Sequence, residues 1–501
     1  MTPLVPVMLF GWVPFTILLF MRLPAHRAVL VAVIGGWLFL PTVGYNWQGI
    51  PPYNKYVAIS LGLMLGGWLS GQRFKADFKW KLCDLPMLLW CLSPIPTALT
   101  NHLGLYDGVS GLYDQVMTWG IPYLAGRIYF KEQETIRDLC QGIVAGGMVY
   151  ALLCLYEIRM SPRLNVNFYG FFPHEWRQHY RYGGWRPIVF MQHGLMVAVW
   201  MAATATTAFW LWRSRLVTKV KGIAMGPAAI LLMVTALLCK SASGWVVLLL
   251  GCTGYSAYRR SAKNLFFIML LLLIPAYIGV RSIGLVPMDE VVGLVAEVFD
   301  EERTGSLAVR LLQEDLFAAR ALEQPVFGWG GYSRGWPVDP DTGKKTIKMV
   351  DSLWIIVFSS KGFFGITTLV AGMLIGPWQV LRSTGRQYGR VREEGLTLQV
   401  VLLSFIVILF MIDTLVNAMV NPIYIMISGA LVSWGLTARQ QGENDSASLP
   451  ARSSQARKSG ILVTSKTPFS FEGKRQERTC VHNPFSLEGE GRDEGAKSVS
   501  P

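Results

Sequence analysis

Three arginines, two histidines and a glutamate fall within one short stretch, Glu175–Gly194, which reads EWRQHYRYGGWRPIVFMQHG. Arg181 and Arg186 stand just before an apolar run, with Gln192 and His193 at its start. Guanidinium groups present a planar fork of donors that fits phosphate oxygens two at a time, whereas a lysine acts on phosphate as a point charge. Cations placed beside membrane are expensive and usually have a function, so the stretch reads as the mouth of a site for a phosphate-bearing lipid. Lys240 in CKSASG, Arg310 and Asp351 in VDSLW are the other charged residues placed to join it.

Several cations around one acidic group suit transfer of a sugar from a lipid pyrophosphate. The leaving group needs its charge stabilised, and the acceptor hydroxyl needs a carboxylate or imidazole to take its proton. Arg181, Arg186, Lys240 and Arg310 are the candidate pyrophosphate ligands, and Asp351 and His193 the candidate bases. Each also has a plainer role open to it. Lys240 could cap a helix C-terminus or snorkel. His193 could be a hydrogen-bonded packing residue one turn into a span, and Arg186-Pro187 suits the first turn of a helix. Arg310 and Glu314 are spaced for an ion pair at i,i+4, and Asp351 stands where an N-cap belongs. GWGGY (328–332) lacks the Lys-Ser/Thr ending of a phosphate loop and has no strand ahead of it. HExxH, GxSxG and Walker motifs do not occur.

The elements that would position these residues are membrane helices. The chain has 501 residues, 52% hydrophobic and 16% charged, with a mean hydropathy of +0.37. That is an all-α polytopic membrane protein. Apolar runs long enough to span recur about thirteen times. They are Leu4–Phe20, Ala28–Gly44, Tyr56–Gly71, Asp84–Thr100, Val116–Phe130, Ile136–Glu157, Pro187–Trp212, Gly222–Cys239, Gly244–Tyr258, Asn264–Ser282, Ser352–Leu374, Thr397–Ile412 and Pro422–Thr437. The formal charge of +14 does not imply nucleic acid, because most Lys and Arg lie in short clusters between these runs. Six clusters, beginning at Arg22, Arg73, Arg127, Arg213, Arg259 and Arg382, fall in alternate loops. The positive-inside rule makes that side cytoplasmic, with the N-terminus outside and the C-terminus inside.

Two outer loops are long, 158–186 and 283–351. In the first, Arg159, Arg163, Arg177, Arg181 and Arg186 oppose only Glu175, so these cations do not serve topology and a bound anion is the natural alternative. Residues 1–438 form the membrane domain, and 439–501 a polar, disordered cytoplasmic tail carrying a small repeat, TPFSFEG and NPFSLEG. The seven cysteines have no zinc-ligand spacing. No metal and no cofactor is expected. The first apolar stretch lacks a basic region and a cleavage site, which marks a retained helix.

Taken together, RYGGWRP (Arg181, Arg186), the short turn CKSASG, Arg310 followed by EQPVFGWG, and VDSLWIIVFSSKGFFG occur in the order seen in the O-antigen ligase and polymerase superfamily, which the chain resembles up to about Arg439. The resemblance implies a bacterial inner-membrane, GT-C-like, metal-independent glycosyltransferase with about 12–13 helices. Its partners would be an undecaprenyl-diphosphate-linked oligosaccharide, a glycan, lipid or protein acceptor, and the bilayer, with the active face periplasmic. Polymerase, ligase and protein O-glycosylation ligase stay open. The family usually has His-Asn where this chain has Asp351-Ser352, and often arginine at Lys240. A transporter or flippase for the same lipid-linked substrate is the alternative, although no internal repeat is visible.

Overall fold

A computed structural model of the chain describes residues 1–71, 78–260, 264–284, 301–331, 333–338, 345, 350–386 and 394–447. It is mostly helical with three short hairpins, as expected of an all-α membrane protein. Among the described residues six helices are long and apolar enough to cross a membrane. A seventh span is made if the pair Leu82–Leu92 and Pro94–Thr100, bent by 42°, counts as one. Four shorter apolar helices accompany them. These are fewer than the roughly thirteen spans expected: each apolar run overlaps a helix, but residues 40–44 and 187–193 are not helical.

The helices used below are α1 (Leu4–Arg22), α2 (Ala25–Phe39), α3 (Lys55–Leu69), α4 (Leu85–Leu92), α5 (Pro94–Thr100), α6 (Leu105–Gln115), α7 (Ile121–Tyr129), α8 (Gln133–Met160) and α9 (Leu164–Tyr169). After them come α10 (Gly194–Arg213), α11 (Met225–Leu238), α12 (Ala242–Arg260), α13 (Leu265–Ser282), α14 (Glu301–Leu322), α15 (Leu353–Arg386), α16 (Glu394–Asp413) and α17 (Pro422–Ala447).

Loops that the charge pattern assigned to one side touch one another. At one end Thr2 N–H donates to Tyr169 O at 3.0 Å and Tyr56 Oη to Val420 O at 3.3 Å. Leu353 N–H donates to Thr414 O at 3.1 Å, and Asn101 Nδ2 to Gly328 O at 2.7 Å. At the other end Arg27 pairs with Asp138 at 2.7 Å and Asn264 Nδ2 donates to Thr384 Oγ1 at 2.8 Å.

Arg127, one of the clustered cations, is not a solvated topology signal. It is 4% exposed and grips Asp84 with two donors at 2.7 and 2.9 Å. Tyr123 Oη donates to the same carboxylate at 2.7 Å, and Arg127 Nη1 reaches Ser433 Oγ on α17 at 2.8 Å. A charge taken out of water this far survives only with all its partners in place. The cluster ties α7, α17 and the start of α4 together.

The glycine-rich run after α14 is structural. Within α15 the backbone breaks at Gly362 (φ 62°), and the run docks into the break. Phe363 N–H donates to Pro325 O at 2.7 Å, Trp329 N–H to Ser359 O at 3.0 Å and Gly330 N–H to Ser360 O at 2.9 Å. A Cβ on Gly328 would stand 2.4 Å from Lys361 N, which only glycine avoids. The run therefore satisfies orphaned groups of a broken helix.

Several boundaries differ from the expectation. The seventh span starts at Gly194, so Arg186-Pro187 does not open a helix and His193 is not a turn inside one. Asp351 is not at the N-cap position either. Helix α15 begins at Leu353, so Ser352 stands there, and Ser352 O accepts from Ile356 N–H at 3.3 Å. Helix α17 continues to Ala447, and the remainder of the expected tail lies outside the described residues. So do Asp289, Glu290, Glu297 and Asp300 of the second long loop.

Removing one partner of a buried pair costs about 3–5 kcal/mol. Arg127→Met is therefore expected to lower the thermal melting temperature in detergent by many degrees. Arg127→Met combined with Asp84→Leu should recover most of the loss, since no charge is then left buried alone. Equal melting of single and double variants would show that the pair does not clamp these helices.

Candidate functional site

Helix α8 ends in a carboxylate that organises the first long loop. Glu157 is fully buried. Its Oε1 accepts from Leu164 N–H at 2.9 Å, and its Oε2 from Ile188 and Val189 N–H at 2.8 and 2.7 Å. One side chain thus holds both the departure and the return of the loop. Val189 is held at φ 56°, a left-handed conformation that costs a β-branched residue on the order of 1–3 kcal/mol. The charged hydrogen bond to its own N–H helps to hold it there.

Between these anchors the chain forms a hairpin of β1 (Tyr180–Arg181) and β2 (Gly184–Trp185). Its two turn residues, Tyr182 and Gly183, have φ of 49° and 69°, as a two-residue turn of the primed kind requires. Arg186 N–H donates to His179 O at 2.7 Å and closes the hairpin's base. Lys240, just past the C-terminus of α11, donates from Nζ to Tyr182 O at 3.1 Å. It neither caps its helix with that group nor merely snorkels. It docks the hairpin.

Arg186 is 1% exposed and its Nε has no hydrogen-bond partner among the described residues. Its stem runs along Gly194, where a Cβ would come within 2.7 Å of Cδ. Burial, then the neighbouring Arg181, pulls its pKa down to about 10. Three imidazoles gather beside it. His174 and His193 have ring centroids 4.8 Å apart, His179 and His193 5.6 Å, and His174 and His179 6.2 Å. Burial, followed by Arg186, His174 and Arg181, lowers His179 to about 4. Burial and then Arg186 lower His193 to about 3. His193 Nδ1 accepts from Leu195 N–H at 3.1 Å, so it is the N-cap of α10. Among the described residues no group of His, Cys, Asp or Glu side chains is arranged to hold a metal.

Of the residues singled out from sequence, Arg181, Arg186, Lys240 and His193 come together here. Asp351 is not among the charges that bear on Arg186, His179 or His193. It lies beside a second buried cluster in which Glu314 accepts from Tyr277 Oη at 2.9 Å, Arg281 Nε at 3.2 Å and Ser352 Oγ at 3.2 Å. Glu314 is thus committed to α13 and α15. The side chain of Arg310 lies outside the described residues.

A polar row joins the two clusters. Ser241 and Ser243, next to Lys240, are 3.2 Å apart. Ser243 hydrogen-bonds to buried Asp413, Asn417 Nδ2 donates to Asp413 Oδ1 at 2.6 Å, and Asn417 O receives Leu353 N–H at 3.3 Å. Sequence reasoning missed Glu157, His174, Arg281 and Asp413. Glu157, Arg281 and Asp413 carry one signal in common, a charge at the end of an apolar run. Neither a family model nor a curated protein matches the chain.

Glu157→Gln keeps one acceptor oxygen and loses charge, so hydrogen bonds of about 1.5–3 kcal/mol are weakened. Trypsin is expected to cut at Arg177 and Arg181 at least about tenfold faster, with the helical core intact. Cleavage at the wild-type rate would mean that Glu157 does not anchor the loop. Protonation acts on the same loop. His179 and His193 titrate lower when folded, near 4 and 3, than the ordinary value of about 6.5. The loop's stability from their neutral forms is thus complete above about pH 6.5 and falls as pH drops toward 4. Hydrogen exchange of residues 170–193 should accelerate through that window, and a flat profile would contradict the burial of these rings.

Proposed function

We propose that the protein is a membrane glycosyltransferase that moves or polymerises glycan from an undecaprenyl-diphosphate carrier. The reading rests on the buried Arg186, whose Nε has no partner among the described residues, amid Arg181, Lys240 and three imidazoles at one end of an apolar helix bundle. A phosphate dianion is the ligand whose charge would balance such a cluster. Its place at one end of a bundle of apolar helices favours a lipid-borne phosphate over a free one. In this reading the cluster faces the periplasm across a bacterial inner membrane, the C-terminus is cytoplasmic, and the helices and docked loops serve as a GT-C-like scaffold.

Arg186 and Arg181 hold the pyrophosphate by paired N–H donors, with Lys240 adding charge at the hairpin; Arg310 is the further ligand proposed from the sequence. The acceptor hydroxyl attacks the anomeric carbon as the carbon–oxygen bond to pyrophosphate breaks. Its proton passes to Asp351, the proposed base; His193, the other candidate from sequence, is less suited, because its Nδ1 is taken by Leu195 N–H and its Nε2 then carries the ring's proton. No metal is needed, since the guanidinium groups supply the positive charge.

A transporter for the same lipid-linked substrate draws support from a different observation. Two helical segments are broken, at Ser93 with a 42° bend and at Gly362. Lys361 beside the second break faces Asp114 and the Trp90 ring, with Nζ 5.7 Å from the ring centroid. Broken helices with charge at the break are a transporter device. Reconstitution in liposomes with a lipid-linked oligosaccharide separates the two. The enzyme yields a longer carrier-linked chain or a glycan on a new acceptor, while a transporter moves the unchanged lipid between leaflets. Arg186→Ala and Arg310→Ala should each lower product formation by about 10²–10³-fold, as loss of a donor to developing charge does, with normal protein in the membrane. Normal product from both variants would sink the anion-site reading.

A further inference from the structure

The three histidines beneath the hairpin are not equivalent. His174 Nδ1 accepts from Glu175 N–H at 2.9 Å, and His193 Nδ1 accepts from Leu195 N–H at 3.1 Å. A nitrogen that accepts from a backbone amide cannot itself carry a proton, so both rings are fixed as Nε2–H tautomers. Protonating either one sets N–H against N–H. His179 differs. It is completely buried, and neither of its ring nitrogens has a partner among the described residues. A buried polar side chain left without hydrogen bonds is costly unless something else occupies its donors. Its ring stands edge-on to Phe172 at 5.5 Å and within 5.6 Å of His193.

We infer that His179 is a further ligand of the pyrophosphate, and the group that takes up a proton when the phosphate enters. The inference rests on the reading of Arg186 and its neighbours as a phosphate site. The charges facing His179 are those of Arg186 and Arg181, with the His174 ring beside them, and they oppose a proton on the ring. Glu157, held by backbone N–H groups, is not among the charges that act on His179, and Glu175 is exposed and turned to Gln178. A phosphate dianion reverses the sign of that field. The imidazolium then donates to a phosphate oxygen. As the carbon–oxygen bond to the carrier breaks, the proton moves onto the departing pyrophosphate oxygen and His179 returns to neutral. The proton of the acceptor hydroxyl goes separately to the base, and exchange with solvent resets both groups.

Calorimetric titration of the detergent-solubilised full chain with inorganic pyrophosphate, at pH 6 in buffers of different ionisation heat, counts the protons taken up. Wild type should take up nearly one proton more per pyrophosphate than His179→Gln, a difference from which the probe's own titration cancels. The variant should bind about ten- to hundredfold more weakly. A second measurement needs no variant. The chain has six histidines, and with labelled histidine one ring should pass from neutral to charged as pyrophosphate is added. Binding with equal proton uptake in wild type and variant, or with no histidine changing state, overturns the role of His179 and leaves the phosphate site standing. Failure of wild type to bind pyrophosphate overturns both.

Discussion

The geometry of the candidate site depends on how one carboxylate is used. Glu157 gives both oxygens to backbone amides at the two ends of a long loop, and none to the arginine that the loop carries. Its carboxylate holds the main chain, including the left-handed Val189, and among the described residues no carboxylate is paired with Arg186. The loop is rigid where it must be, at its base, and the cost of confining cations together is carried by that anchor. His193 as N-cap of α10 and Lys240 on the hairpin carbonyl complete the frame.

The clusters around Arg127 and around Arg186 treat buried charge in opposite ways. Asp84, Arg127, Tyr123 and Ser433 satisfy one another, and the close approach of α7 and α17 leaves no room for anything else. Such a cluster fixes helix positions and has no capacity left for a ligand. Around Arg186 its own Nε and both ring nitrogens of His179 have no partner among the described residues. Unpartnered groups occur elsewhere too, at Lys55, Gln115 and Asn165; here they gather beside a buried guanidinium.

The membrane helices were legible because apolar length is a strong signal, and the sorting of loops followed from where lysine and arginine repeat. The cationic stretch was legible for the same reason, since its arginines break the topology pattern. What escaped was the conformation of Pro187–His193. The run is apolar, and periodicity alone read it as helix, yet three of its features rule that out together: Glu157 draws off the Ile188 and Val189 amides, Val189 is left-handed, and His193 caps the helix that follows. None of the three has a local mark in the sequence. Arg127 misled in the other direction. It sits in a basic cluster at a helix end, and only the distant Asp84 and Ser433 make it a structural residue. The histidines also needed tertiary contacts to be ranked, because which ring nitrogen is occupied depends on amides that only the fold supplies.

The polar row from Lys240 through Ser243, Asp413 and Asn417 to Leu353 bears on how the two halves of the proposed site work together. Asp351 and the cationic cluster sit on different elements, and nothing in the charge environment of Arg186 requires them to be adjacent. Yet the turn carrying Lys240 and the start of α15 are both held by the same few residues at the α16–α17 turn. Ser241, Asp413 and Asn417 of this row are buried, so the row holds the two elements at a fixed distance. A substrate that places its pyrophosphate on Arg186 and its sugar toward Asp351 would have to match that path from one end of the row to the other. The glycine-rich run locks α15 at its break and so fixes the helix whose first residues stand at the far end of that path. In the proposed reaction the backbone is therefore the measuring device: the span between anchored hairpin and anchored helix start sets which substrates reach both groups at once.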